Sequence, residues 1–236
     1  MELKDKKVVV IGGSSGIGLA IAQATAAAGA KVVISGRSAH KLEEALAEIE
    51  ANVLAYPVDV TDMASLQDFF QREGQVDHLI MAGGTVKTGG FKEMPVADAI
   101  ASMNSKFFGA YRAVQAATVS PAGSITLFSG VLSRRPTPGT AAIAAVNAAV
   151  EGLGRALAIE LAPVRVNVIS PGLVKTPSYS GMPDEQRENL YQSTAASLPV
   201  GYVGEPEDVA VVALMLMTTP YITGTIVDVD GGSLLV

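Results

Sequence analysis

Seven consecutive residues, Gly12-Gly13-Ser14-Ser15-Gly16-Ile17-Gly18, have the types and spacing to hold an anion. They follow the apolar run Val8-Val9-Val10-Ile11 and open an Ala-rich stretch, so the loop leads from a strand into a helix whose free N–H groups face the turn. Gly12 suits the tight turn, Gly16 lets backbone approach a pyrophosphate, and Gly18 lets the helix sit close to the sheet. The chemistry implied is capture of a dinucleotide through its phosphates. The end of the second predicted strand chooses between dinucleotides. An NAD site places there a carboxylate that takes both ribose hydroxyls and repels a 2′-phosphate. That position is Gly36, and Arg37 follows it. A guanidinium can grip a phosphate with two parallel charge-assisted hydrogen bonds, with Ser35 and Ser38 as additional neutral donors. His40 and Lys41, one turn into the next helix, read as solvated. The expected cofactor is NADP(H), bound at least tenfold tighter than NADH, or about 1.4 kcal/mol.

The loop spacing Gly-x-x-x-Gly-x-Gly resembles that of the short-chain dehydrogenase/reductase family, and further matches run the whole length of the chain. Asp59-Val60 after the third strand resembles the family's adenine-binding pair. Asn104, in Met103-Asn104-Ser105-Lys106, stands where the family has an active-site Asn. Pro171-Gly172 and Thr176 resemble the turn and the Thr that contact the nicotinamide carboxamide, and Val229-Asp230-Gly231-Gly232 resembles the family's C-terminal Val-Asp-Gly-Gly. Ala82, Gly83, Gly84, Asn147 and Val174 complete the cofactor contacts that the resemblance implies.

The catalytic end departs from the family pattern. Members use a Tyr-x-x-x-Lys pair on the helix after the fifth strand and a Ser at that strand's end. The aligned residues here are Ile143, Asn147 and Gly130, and only Asn104 keeps the family residue. Asn147 can still hydrogen-bond a ribose but carries no charge. A phenol near pKa 10 needs such a charge to act as an acid at neutral pH. A replacement acid is sought in water, in Ser133-Arg134-Arg135-Pro136-Thr137, or in Lys175, Tyr179 and Tyr191. Arg134 and Arg135 read first as solvated or subunit-contacting, and the two tyrosines as packing residues.

These residues need elements to position them. Short β-branched runs alternate with Ala-rich stretches, the pattern of βαβ units around a parallel sheet. The spacing predicts strands at 7–12, 31–36, 53–58, 76–82, 123–129, 164–170 and 225–229. The clearest helices are predicted at 17–28, 39–50, 96–118, 140–161 and 206–217. The fold class expected is α/β, a single doubly wound Rossmann-type domain over residues 1–236 with seven parallel strands. Residues 173–199, with Pro177, Gly181, Met182 and Pro183, read as a mobile substrate lid. Glu151 and Arg155, four apart, are expected to form an exposed pair.

Composition narrows the partners. The chain has 236 residues, 49% of them hydrophobic, and a net charge of −6 without a basic cluster, so nucleic acid is not expected. It has no Cys and two His, which excludes disulfides and thiolate chemistry and leaves no expected metal site. The N-terminus from Met1 lacks a signal-peptide pattern and no apolar run is taken to reach membrane-spanning length, so a cytoplasmic protein without a membrane partner is expected. Small residues along the helix around Ile143, together with the family resemblance, imply a homodimer or homotetramer. Three functional readings follow: an NADP(H)-dependent oxidoreductase on an unidentified small carbonyl or alcohol, with a pocket near Ile143, Gly130, Val131 and Met182; a catalytically silent NADP(H)-binding sensor or assembly protein; and a lyase or isomerase reusing the fold.

Overall fold

Strand β1 (Lys7–Ile11) is apolar on both faces, and it lies between two parallel neighbours. In the computed structural model, which describes residues 2–49 and 53–236, it pairs with β2 (Lys31–Gly36) and β4 (Gln75–Met81). The sheet continues outward through β3 (Leu54–Pro57) on one side and β5 (Thr118–Phe128), β6 (Arg165–Pro171) and β7 (Ile226–Val229) on the other. Its order is β3-β2-β1-β4-β5-β6-β7, all parallel. Side chains of a strand alternate between faces, so Val8 and Val10 enter one core layer and Val9 and Ile11 the other.

Helices α1 (Gly16–Ala27), α2 (Ala39–Glu48) and α7 (Pro206–Thr218) cover the first face through Ile21, Leu42 and Leu216. Helices α3 (Met63–Glu73), α4 (Val96–Ala116) and α5 (Ala141–Glu160) cover the second through Leu66, Ala113 and Val150. The architecture is the α/β Rossmann-type fold that the alternation of elements implies. Helix α3 starts where Asp62 accepts from the Ala64 N–H at 3.0 Å. The buried guanidinium of Arg165 closes the end of α7, donating to the carbonyls of Leu216 at 2.6 Å and Met217 at 2.8 Å.

Four expectations change. Residues 173–199, to which the sequence assigns no regular element, contain a short 3-10 turn, Pro177–Tyr179, and helix α6 (Asp184–Ser197). Asp184 and Glu185 favour the positive end of α6, and Arg187 pairs with Asp184 at 2.7 Å. The helix has no buried residue, which is why hydrophobic periodicity does not reveal it. Helix α4 stops at Ala116 and β5 begins at Thr118, five residues before its expected start. Glu50, the expected end of α2, lies outside the described residues, as does Met1. Helix α5 has 20 residues with a mean hydropathy of 1.4, long and apolar enough by composition to cross a membrane, contrary to the expectation; here it packs on the sheet and against α4. The expected Glu151–Arg155 pair is also absent. Glu151 is buried and accepts the Ser133 hydroxyl at 2.5 Å, whereas Arg155 is exposed on the next turn.

Candidate functional site

A crevice of about 580 Å³ opens at the carboxyl ends of β1 and β4, where the chain turns from one half of the sheet to the other. The loop after β1 forms one wall. Gly12 (φ +85°) accepts a conformation side chains rarely adopt, and a Cβ there would lie 2.4 Å from the Gly83 backbone. A Cβ on Gly18 would lie 2.1 Å from the Gly12 carbonyl oxygen, so only glycine lets α1 begin against this turn. Ser14, Ser15, Gly16 and Ile17 line the same wall at the start of α1. The result is a turn of backbone N–H groups beside a helix N-terminus, a setting that favours an anion. Among the described residues, no group of three His, Asp or Glu could hold a metal ion.

Gly36, Arg37 and Ser38, with Lys41, line the far end of the crevice. Arg37 is exposed and its Nη2 donates to Thr85 Oγ1 at 3.0 Å, reaching over the opening. Lys41 is exposed, as the sequence reading has it, and also borders the lining; the bond from its N–H to Ser38 Oγ, 3.3 Å, fixes the turn that brings it there. Ser35 is a correction. It is fully buried beneath the glycine loop with no partner for its hydroxyl, and it supports the loop through its carbonyl, which accepts from Gly12 and Gly13 at 2.7 and 3.1 Å.

The third wall contains Val60, Ala82, Gly83, Gly84, Thr85 and Ser105. Asp59 is not in the lining. Its Oδ1 is taken by the Thr61 N–H at 2.9 Å and hydroxyl at 2.8 Å, and these bonds hold its carboxyl below the usual carboxylate range. Thr176, Pro177 and Ser178 close the crevice against the glycine loop. Pro171 and Gly172 end β6 beside Asp230, and the Gly172 N–H donates to Val229 O at 3.0 Å. Val174 is buried in the core and pairs with Gly204, so its side chain cannot meet a cofactor.

Asn104 is not among the residues that line the crevice. Its Oδ1 accepts from Arg112 at 2.7 Å within an unbroken α4. Asn147, by contrast, is buried where α5 faces the end of β5. A Cβ on Gly130 would lie 2.9 Å from Asn147 Nδ2, so glycine at 130 makes room for the amide, which donates to Gly130 O at 3.3 Å. Ile143, one turn earlier on α5, is half-buried.

A residue outside the expected set joins them. Lys106 crosses from α4, and its ammonium donates to Asn147 Oδ1 at 2.7 Å and Ser129 O at 2.9 Å. Its stem packs on Gly84, where a Cβ would lie 3.0 Å from Lys106 Cβ. Burial alone lowers its pKa to about 8. A signal was present in the sequence: half-buried Lys106 stands at helical spacing between the buried residues Ser102, Gly109 and Ala113 of α4. The replacement acids expected from the sequence are engaged elsewhere. Ser133 bonds Glu151, Arg134 bonds Asp228 and Ser170, Arg135 bonds Ser233 O, and Lys175 pairs with Glu205 at 2.5 Å. Arg134 and Arg135 are exposed, as the sequence reading has them, and they also tie their loop to Asp228 and to the Ser233 carbonyl. Tyr179 packs edge-on against Tyr191, and burial raises its pKa.

Comparison with known proteins gives consistent matches. A family model described as enoyl-(acyl carrier protein) reductase matches residues 11–233. A short-chain dehydrogenase/reductase of Acremonium sp is 35% identical, the match covering 99% of this chain and 97% of that protein. A crystal structure of a small-chain dehydrogenase in complex with NADPH superposes with a TM-score of 0.84 at 37% identity, covering 99% of this chain and all of that one. The MalC reductase/Diels-Alderase from Malbranchea aurantiaca superposes with a TM-score of 0.92 at 29% identity, covering 99% of this chain and 98% of that one.

Proposed function

The chain belongs to the short-chain dehydrogenase/reductase family, and from that premise we propose that it is an NADP(H)-dependent oxidoreductase with a non-standard catalytic centre, acting on a small carbonyl or alcohol. The observation that carries the choice of dinucleotide is the end of β2. Gly36 offers no carboxylate to a ribose, while Arg37, Ser38 and Lys41 line the crevice there with two cations and a hydroxyl. The NADPH complex of the similar small-chain dehydrogenase supports the same reading. NADP(H), when bound, exchanges a hydride with the substrate carbon.

The chain's own residues divide the remaining work. The glycine loop holds the pyrophosphate, and Thr176 with Pro171-Gly172 faces the nicotinamide end. Ile143 and Val131, with Met182 from the segment 173–199 acting as a lid, present apolar surface to the substrate. Ile143, Asn147 and Gly130 take the places of the Tyr, Lys and Ser that family members use. Exposed Phe108, Tyr111 and Ile159 on α4 and α5 support a homo-oligomer as the working form.

The test is single-turnover oxidation of bound NADPH against a panel of aldehydes, ketones, quinones and activated alkenes. Oxidation by at least one acceptor, with NADPH bound at least tenfold tighter than NADH, is expected. Tight NADPH binding with no acceptor turned over would replace this reading by a silent sensor. A second reading, a non-redox reaction on the same scaffold, draws on the dual description of MalC. It requires conversion of substrate while bound NADPH stays reduced.

A further inference from the structure

Reducing a carbonyl puts a pair of electrons on carbon and leaves charge on oxygen, so a proton must arrive with them. The donor has to border the crevice near the end of β5, remain mostly protonated at neutral pH, and give up its proton more readily than an ordinary lysine. Of the side chains named from the sequence, Ser133, Arg134, Arg135, Lys175 and Tyr179 are bound or packed against other groups. The cations at the other end of the crevice, Arg37 and Lys41, lie beyond the glycine loop.

Lys106 stands directly behind the crevice wall and has the right acidity. Its neighbours Gly84 and Ser105 line the crevice, and its Nζ is held by Asn147 from α5 and by the Ser129 carbonyl at the end of β5. Two departures from the family pattern join Lys106 in one arrangement. Gly130 vacates the space that the Asn147 amide fills, Asn147 presents a neutral oxygen in place of a second cation, and that oxygen receives the ammonium arriving from α4. A lysine at 147 would set two ammonium groups against each other.

We propose that Lys106 is the proton donor of this site, delivering a proton from Nζ to the substrate oxygen in reduction and accepting it in oxidation. The proposal rests on the oxidoreductase reading above. In reduction, NADPH supplies the hydride to the carbonyl carbon and is oxidised. One N–H bond of Lys106 breaks as the substrate O–H bond forms, and the neutral amine regains its proton from water. Two of the three ammonium hydrogens are occupied by Asn147 and Ser129, which leaves one free to transfer. Burial, without a neighbouring carboxylate among its causes, accounts for a pKa of about 8, well suited to this exchange.

The experiment compares wild type with Lys106→Arg and Lys106→Met from pH 6 to 10. It reads NADPH affinity by fluorescence and single-turnover reduction of phenanthrenequinone. Arginine keeps the charge but does not deprotonate in this range. The expected result is NADPH affinity within threefold of wild type for Lys106→Arg, with reduction slowed about 100-fold or more. The wild-type rate should fall above pH 8, and that break should vanish in both variants. A Lys106→Arg rate within threefold of wild type, with the break retained, overturns the proposal. If wild type binds NADPH but reduces nothing, the oxidoreductase reading fails first, and 15N spectroscopy of the lysine side chains then decides. An Nζ resonance titrating near pH 8 and shifting on NADPH addition retains Lys106 as the ionisable group at the reactive end. One near 10.5, or one unmoved by NADPH, removes it.

Discussion

Replacing Arg37 by alanine isolates the 2′-phosphate interaction, because Arg37 is exposed and supports no buried packing. A hydrogen bond to a charged group contributes about 1.5–3 kcal/mol, and a guanidinium can make two to one phosphate. Two reductions apply. Solvent at the crevice mouth screens the pair, and binding must break the 3.0 Å bond from Nη2 to Thr85, costing about 0.5–1.5 kcal/mol. What remains is about 1.5–3 kcal/mol, or roughly a 10- to 150-fold loss of NADPH affinity. NADH has no 2′-phosphate, so its affinity should change less than threefold. Fluorescence titration with both dinucleotides at two ionic strengths reads the result directly. Wild-type NADPH affinity should weaken with salt, and the variant should lose most of that dependence. An equal loss for both dinucleotides, or an unchanged NADPH affinity, refutes the argument from β2. Gly36→Asp should deepen the loss for NADPH. Its Cβ would lie 3.1 Å from Ser14 Oγ, so the hydroxyl must swing aside and a carboxylate then faces the phosphate.

Three further outcomes follow from packing and burial. Gly12→Ala forces a side chain to within 2.4 Å of the Gly83 backbone at φ +85°, so dinucleotide binding should be lost even where circular dichroism shows a folded chain; retained binding contradicts the role given to this turn. Gly154→Ala sets a methyl 2.4 Å from Val168 Cγ2 and should cost about 1–3 kcal/mol, lowering Tm by roughly 2–10 °C, whereas Gly152→Ala on the same helix meets no atom within 4 Å and should hold or raise Tm. His78 is buried against Ser124 Oγ at 2.8 Å, and burial lowers its pKa from 6.5 to about 4. The unfolded chain therefore takes up this proton first, and stability falls as pH drops from 6.5 toward 4, by up to about 3 kcal/mol. Urea unfolding at pH 7 and 4.5 should show a smaller loss for His78→Gln; an identical loss assigns the slope to other groups.

The crevice wall made by the glycine loop was legible because its geometry is backbone geometry, and Gly36 and Arg37 border the same crevice because they stand at the end of β2. Side-chain assignments carried less well. Ser35 sits one residue from Gly36, and on a strand that single step turns its hydroxyl from the crevice into the core. The spacing of Glu151 and Arg155 satisfies the rule for an exposed pair, yet Asn147, Val150, Glu151 and Gly154 follow the buried stripe of α5 and draw the carboxylate inward to Ser133. Lys106 shows the same stripe on α4. Read as the neighbour of Asn104 it attracts no notice; read as a member of a buried helical face it is a charge that must have a partner. That partner, Asn147, lies 41 residues away, and only the fold brings the two together.

The strand order has a consequence for how the molecule comes together. Strands β1, β2 and β3 stand on one side of a seam and β4 to β7 on the other, with β1 and β4 the pair that joins them. Residues translated early can lay down the first leaf, but the crevice has only one bank until β4 docks. A dinucleotide spanning Arg37 on the early leaf and Gly84 on the late one acts as a clasp across that seam. Ligand present at a hundred times its Kd holds the clasped state by about 2.7 kcal/mol. Thermal unfolding should therefore move to higher temperature as dinucleotide is added, apart from any turnover it supports.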